Sequence, residues 1–138
     1  MTASGKTKTN RVFTLIVLPE RLGICRRDPS ATVPNQVYQS SFLSVTRTPD
    51  ELSIICNETH IPKEDRCSIG WRRLQVKGPL DFSETGILSV LSRPLADAGI
   101  PIFALSTYET DCILVKEKDL ARAVEALESD GHNIIFSE

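Results

Sequence analysis

The sequence has no apolar run long enough to cross a bilayer: runs such as Leu15–Leu18 and Ile113–Val115 fall far short of the roughly 20 residues required. It has no C-x-x-C pair; its four cysteines, Cys25, Cys56, Cys67 and Cys112, are widely spaced, so no standard zinc or redox motif is written in them. No basic stripe is present either. The 16 Lys and Arg residues are interleaved with 18 Asp and Glu residues, for a net charge of −2, which argues against counterion-release binding to DNA or RNA. Met1–Asn10 is polar, and nothing apolar follows it before Val12, so it fails as a secretory signal. These absences predict a cytoplasmic protein with no membrane or nucleic-acid partner and with reduced thiols near the core. In that compartment the Asn57-Glu58-Thr59 sequon is silent.

What is present is an ordinary globular composition, 41% hydrophobic over 138 residues, enough to bury roughly two-thirds of the unfolded chain's surface. "WRRLQVKG", Trp71–Gly78, alternates as a strand does. Asp81 or Ser83 stands where a helix cap belongs. Ile87, Leu88, Leu91, Leu95 and Ala98 then recur at helical spacing up to Gly99, with Pro94 expected to distort the middle of the helix. "IPIFALST" and "DCILVKE" read as strands joined by a turn at Tyr108, Glu109 and Thr110. A second helix spans about Lys118–Asp130, with Leu120, Val124 and Leu127 on one face and Gly131 as its stop, and "NIIFS" closes as a strand. The order is β-α-β-β-α-β, the ferredoxin-like unit, with both helices on one face of a four-stranded, mostly antiparallel sheet.

The first half reads as a worn copy. Displaced by 60 residues, "TRTPDELSIIC" lies over "STYETDCILVK", matching Thr46 to Ser106, Glu51 to Asp111 and Ile54 to Leu114. "LPERLGI" likewise echoes "FSETGI", with Gly23 against Gly86. Similar strings at a near-constant offset indicate internal duplication. Pro29 and Pro34 argue against a full helix in between. The expected organisation is a flexible tail (1–10), a degenerate first unit (11–62), a linker around Thr59–Ser68 and a complete second unit (69–138).

Two blocks, "FLSVTRTPDELSIIC" and "GPLDFSETGILSVLSRPLADAGIPIFALSTYETDCILVKEKDLARAVEAL", resemble a family of small tandem ACT-domain proteins across about Val12 to Ile135. That family is in turn similar to the ACT halves of cytosolic arginine sensors and to the regulatory ends of aspartate kinases. The resemblance implies an α+β protein of tandem ACT-like (βαββαβ) units whose antiparallel sheets are covered by helices on one face. It also implies ligand sensing by binding free amino acids between ACT units, rather than catalysis.

A free amino acid needs anion donors, an anion and a shaped wall. The amides around Thr85, Gly86 and Ile87 stand at a helix start, where backbone N–H groups lack intrahelical partners and the helix dipole favours a carboxylate. Gly86 allows close approach, and Ser83 and Glu84 flank the same turn. Asp111, with Glu84 or Glu109, can accept charge-assisted hydrogen bonds from an ammonium or guanidinium. By resemblance, the arginine sensors' ligand strings fall on Glu84, Gly86 and Ile87 and on Thr107, Tyr108 and Asp111, with Thr110 in the same turn. Glu84 stands where the small-protein family has leucine, a departure that favours a cationic ligand such as arginine or leaves the acid in solvent. The plainer alternative makes Ser83 and Thr85 helix caps, Glu109 and Thr110 turn residues, and Tyr108 an edge aromatic.

Other chemistry is thinner. "SGKT", Ser4–Thr7, lacks the upstream glycine of a phosphate loop. Cys56, His60 and Cys67 fit no zinc spacing, and thiols in strand runs are ordinarily buried. The expectation is therefore a non-catalytic amino-acid sensor without metal or cofactor, homodimeric through its exposed sheet edges, acting on a regulated protein partner. The competing expectations are a ligand-free dimerisation or interaction adaptor and a small enzyme using a thiol or carboxylate.

Overall fold

The structure, a computed structural model, describes residues 11–63, 65–81 and 83–138. The tail assigned to Met1–Asn10, the Ser4–Thr7 string and Phe82 lie outside the described residues. The chain divides into two compact units. One holds Met1–Pro19 and Arg73–Glu138, the other Glu20–Arg72. Strand β1 (Thr14–Arg27) and strand β4 (Arg66–Val76) each contribute to both.

In the Glu20–Arg72 unit, β1 leads through a 3-10 turn (Asn35–Gln39) to β2 (Leu43–Arg47) and β3 (Leu52–Asn57). A second 3-10 turn (Glu58–His60) then leads to β4. The strands are ordered β2-β3-β1-β4. β3 is antiparallel to both its neighbours, pairing Cys25 with Ile54 on one side and Leu43 with Cys56 on the other. The element order is thus that of the second half with both helices reduced to 3-10 turns. Pro34, extended at φ −63° and ψ 139°, immediately precedes the first of these, which buries only Val37. Cys25, Val37, Leu52, Ile54 and Cys56 form the core.

This unit corrects the expected thiol chemistry. Cys25 and Cys67 are joined by a disulfide, with Cα atoms 4.1 Å apart, and only Cys56 and Cys112 are free, both buried. Zinc ligation through Cys56, His60 and Cys67 is thereby lost, because Cys67 is consumed. The stretch expected as a linker through Ser68 is already strand from Arg66. It escapes a sequence pattern because Gly70 interrupts the alternation at φ +83°, its N–H taken by Glu58 Oε2 at 2.5 Å. Arg27 Nε donates to both oxygens of Asp65, at 2.8 and 2.7 Å, and ties β1 to the approach of β4.

In the other unit, the end of β4 runs into α1 (Ile87–Asp97), β5 (Phe103–Ser106), β6 (Asp111–Lys116), α2 (Leu120–Ser129) and β7 (Asn133–Phe136). The sheet has one strand more than the four expected. β1 lies between β4 and β7, giving the order β7-β1-β4-β6-β5. β7 pairs parallel with β1, Ile134 opposite Leu15 and Phe136 opposite Val17. The N-terminal segment thus completes the second unit, a long-range pairing that no local pattern announces. Leu15 and Val17 of β1 and Leu74 and Val76 of β4 pack with Ile87, Leu91 and Leu95 of α1, Ile113 and Val115 of β6, and Leu120, Ala123 and Leu127 of α2.

Both helices stop as the glycines predict. Gly99 (φ +73°) donates to Ala96 O and Ile100 to Leu95 O, at 2.9 and 3.0 Å. Gly131 (φ +98°) and His132 repeat this on Glu128 and Leu127, at 3.0 and 3.1 Å. These are paired Schellman closures, in which the last free carbonyls are satisfied and a left-handed residue turns the chain away.

Candidate functional site

The start of α1 departs from expectation. Its N-cap is Gly86, at φ +78°, and no side chain caps it. Asp81 and Ser83 are instead spent on a turn of their own. Asp81 Oδ1 accepts the Ser83 N–H at 3.0 Å, Asp81 O accepts the Glu84 N–H at 3.0 Å, and Glu84 Oε2 accepts the Asp81 N–H at 3.1 Å. The left-handed glycine separates that turn from the helix. The first intrahelical bond, Val90 N–H to Gly86 O at 2.9 Å, leaves the amides before it outside the helical ladder.

Across from this turn lies the β5–β6 hairpin. Ser106 and Asp111 face each other as its last cross-strand pair, and Ser106 Oγ donates to Asp111 Oδ1 at 2.5 Å. Thr107 N–H donates to Thr110 O at 2.8 Å, closing the turn and holding the exposed Tyr108 at its tip. The two loops are bound together. Leu80 N–H donates to Glu109 O at 2.6 Å, and the Thr110 hydroxyl donates to Val76 O.

Between them is a cleft of about 220 Å³ lined by Leu80, Asp81, Glu84, Ile87, Ser106, Thr107, Tyr108, Thr110 and Asp111. Six of the residues expected from the sequence therefore share one wall set: Glu84, Ile87, Thr107, Tyr108, Thr110 and Asp111. Ser83, Thr85, Gly86 and Glu109 do not line it. Ser83 completes the Asp81 turn, Gly86 sets the helix start, and Thr85 and Glu109 use their carbonyls to hold neighbouring chain.

Glu84 neither sits free in solvent nor waits unpaired. Arg11 donates to its Oε1 at 2.8 Å and to Thr85 O at 2.7 Å, while the Arg11 guanidinium lies 4.9 Å from the Phe13 ring centroid. Both Glu84 carboxylate oxygens are thus engaged within the protein. Sequence reasoning missed Arg11, because the partner lies 73 residues away in the chain. It also missed Ser106, although the serine at the mouth of a two-strand turn ending in aspartate is a readable signal. The cleft's charge toward a cation accordingly comes from Asp111 and Asp81.

Both free thiols are buried. Burial raises the pKa of Cys56, with Asp65 adding to it; burial also raises that of Cys112, partly opposed by the charge and hydrogen bond of Arg73. Among the described residues no cluster of His, Cys, Asp and Glu is arranged to hold a metal ion. None of their helices is long and apolar enough to cross a membrane.

A βαββαβ unit carrying a polar cleft between its first helix start and its central hairpin has the architecture of an ACT domain. The chain belongs to the ACT-domain family: the ACT family model matches residues 66–129, and a model of an N-terminal domain matches residues 20–64. The solved structure of Protein Atu0741 from Agrobacterium tumefaciens is 36% identical, with a TM-score of 0.87 over 93% of this chain and 96% of that one. The cytosolic arginine sensor for mTORC1 subunit 1 of Bos taurus is 30% identical over 97 residues, covering 62% of this chain and 30% of the sensor. The chain spans less than two-thirds of the length of the curated relatives it matches. Aspartate kinase of Clostridium acetobutylicum shares the fold, with a TM-score of 0.63 at 11% identity over 92% of this chain and 37% of the kinase.

Proposed function

We propose that this protein senses a free amino acid, with the cleft between the Asp81–Ile87 turn and the Ser106–Asp111 hairpin as its binding site. The observation that carries the reading is the pairing of an uncapped helix start with Asp111 around one cleft. The ligand's carboxylate would meet the first amides of α1, where the helix dipole favours an anion. Its ammonium would meet the Asp111 oxygen not used by Ser106, and Tyr108 and Ile87 would shape the wall for its side chain. Two charge-assisted bonds at about 1.5–3 kcal/mol each, with apolar contact, approach the roughly 8 kcal/mol of a micromolar complex. The similarity to an arginine sensor supports a cationic side chain. The protein acts in the cytoplasm as a homodimer that signals to a partner protein, and the ligand regulates by binding one assembly state better than another.

A thermal-shift screen against the twenty amino acids tests this. A ligand at a hundredfold its Kd stabilises the fold by about 2.7 kcal/mol, a rise of several degrees in Tm, and Asp111→Ala is expected to abolish it. No shift with any of the twenty would leave the ligand-free adaptor in its place.

A further inference from the structure

The cleft at the start of α1 is lined by three carboxylates, those of Asp81, Glu84 and Asp111, and none of the described residues lining it is basic. Arg11 brings a cation to this set from outside the lining. Both ends of its guanidinium fork are used: Nη1 donates to Thr85 O at 2.7 Å and Nη2 to Glu84 Oε1 at 2.8 Å. A carboxylate beside a backbone carbonyl is the acceptor pair that a ligand's own guanidinium or ammonium would take. The protein thus satisfies with its own arginine the acceptors that a cationic side chain would seek.

Arg11 is held in place from behind. Two residues on, the Phe13 N–H donates to His132 Nδ1 at 3.1 Å and the Phe13 carbonyl accepts the Asn133 N–H at 2.9 Å. Thr14 O accepts the Lys77 N–H at 2.8 Å. The guanidinium also lies over the Phe13 ring, 4.9 Å from its centroid, so the ring supports the face of the fork while its edges donate. Tethered in this way, Arg11 meets Glu84 at an effective concentration on the order of millimolar or above. A free cation at micromolar concentration does not outcompete it there. The charge of Glu84 is spent inside the protein, and a ligand is left with Asp81 and Asp111. Selectivity is a difference of affinities. Withholding one carboxylate weakens a ligand with a cationic side chain, whereas a neutral amino acid, whose ammonium needs only Asp111, is unaffected.

We infer that Arg11 is a specificity-determining residue of the cleft: by holding Glu84 and the Thr85 carbonyl, it limits the preference for amino acids with a cationic side chain over neutral ones. The inference rests on the reading of the cleft as an amino-acid site, and its test separates the two.

The test titrates the ¹⁵N-labelled full chain and its Arg11→Ala variant, at low ionic strength, with L-arginine, L-alanine and methylguanidinium chloride, which carries the cation and no amino-acid backbone. The backbone anchors of Phe13 do not involve the Arg11 side chain, so the variant should keep the fold. Arg11→Gln, which keeps an alkyl stem beside the Phe13 ring, serves as a second variant. Either substitution should strengthen arginine and methylguanidinium binding about three- to fivefold, read from the amides of Glu84–Ile87, as expected when the partner of an exposed ion pair is set free. Alanine should bind as it does to the wild type. Arg11→Ala combined with Glu84→Gln should return both cations to their wild-type affinities. If neither arginine nor alanine shifts the cleft in any of the proteins, the amino-acid reading fails, and methylguanidinium alone decides whether Arg11 withholds Glu84. An equal gain for alanine, a gain that survives Glu84→Gln, or a methylguanidinium response no stronger in the two variants than in the wild type would each overturn the inference.

Discussion

The backbone N–H of Phe13 donates to Nδ1 of His132 at 3.1 Å, and the two rings stand 5.9 Å apart. Because Nδ1 accepts, the ring proton sits on Nε2, 3.7 Å from an Asp130 carboxylate oxygen and without a hydrogen-bond partner of its own. The neighbouring Asn133 N–H donates to Phe13 O at 2.9 Å, so His132 latches the N-terminal strand at the point where β1 begins. Burial of the imidazole lowers its pKa from 6.5, and Asp130 offsets only part of that. The contact at 3.7 Å is therefore not read as an ion pair at neutral pH. With the folded pKa below the unfolded one, the unfolded chain takes up the extra proton. The stabilisation is complete above about pH 6.5 and is lost as pH falls toward the folded pKa. Tm should drop as pH falls below about 6.5, and His132→Asn, which keeps an acceptor near the Nδ1 position, should flatten that fall. An unchanged slope in the variant would show that other groups carry the acid sensitivity.

Glu84 and Asp111 both line the cleft, yet they differ in what they can offer a ligand. Glu84 is engaged by Arg11 and by the Asp81 N–H, whereas Asp111 is held by Ser106 through one oxygen. Asp111→Asn should therefore weaken a cationic or zwitterionic ligand by roughly tenfold to a hundredfold, and Glu84→Gln by much less. Calorimetric titration of both variants with the ligand found by screening checks the ranking; equal losses would mean that Glu84 exchanges Arg11 for ligand. The Arg11–Glu84 pair is itself more than a third exposed on each side. In a double-mutant cycle it should couple by no more than about 1 kcal/mol, less at high salt.

Gly86 stands at φ +78° with open space where a Cβ would go. Any loss in Gly86→Ala must then come from the backbone conformation rather than from a clash, at about 1–2 kcal/mol. Gly86→Asn should recover part of it, since asparagine tolerates the left-handed region. Chemical denaturation of the two variants distinguishes these costs. Equal stability of Gly86→Ala and wild type would show that the turn relaxes to a right-handed conformation.

The second half was legible wherever a local rule governs. Ile87, Leu91 and Leu95 recur at helical spacing and are buried on one face, and Gly99 and Gly131 end their helices because left-handed closure needs them. The hairpin turn was legible for the same reason, its polar residues lying between two apolar runs. Three features were not. The N-terminal strand pairs with β7 across more than a hundred residues, and Arg11 meets Glu84 across 73; neither leaves a mark on neighbouring residues. Asp81 and Ser83 look like caps, yet Gly86 moves the helix start beyond their reach. In the Glu20–Arg72 unit, Gly70 breaks the alternation that would have marked β4, and Cys25 and Cys67 are brought together only by strand pairing.

That disulfide gives a prediction independent of any ligand. The two cysteines lie 42 positions apart, and closing a loop of that size stabilises by about 2–4 kcal/mol in the chain-entropy account, since it restricts the unfolded chain. Reduction should therefore lower the stability of the Glu20–Arg72 unit, while the ladder around Cys25, Ile54 and Cys56 keeps the native pairing accessible. Alkylation of the unfolded protein should label two of the four cysteines before reduction and all four after it. In the native fold Cys56 and Cys112 should react slowly, because both are buried and held as thiols. Cys25→Ser and Cys67→Ser should each reproduce the reduced protein's melt. Four reactive thiols without reductant would mean that the pair is open in the purified protein, and the two serine variants would then melt as the wild type does.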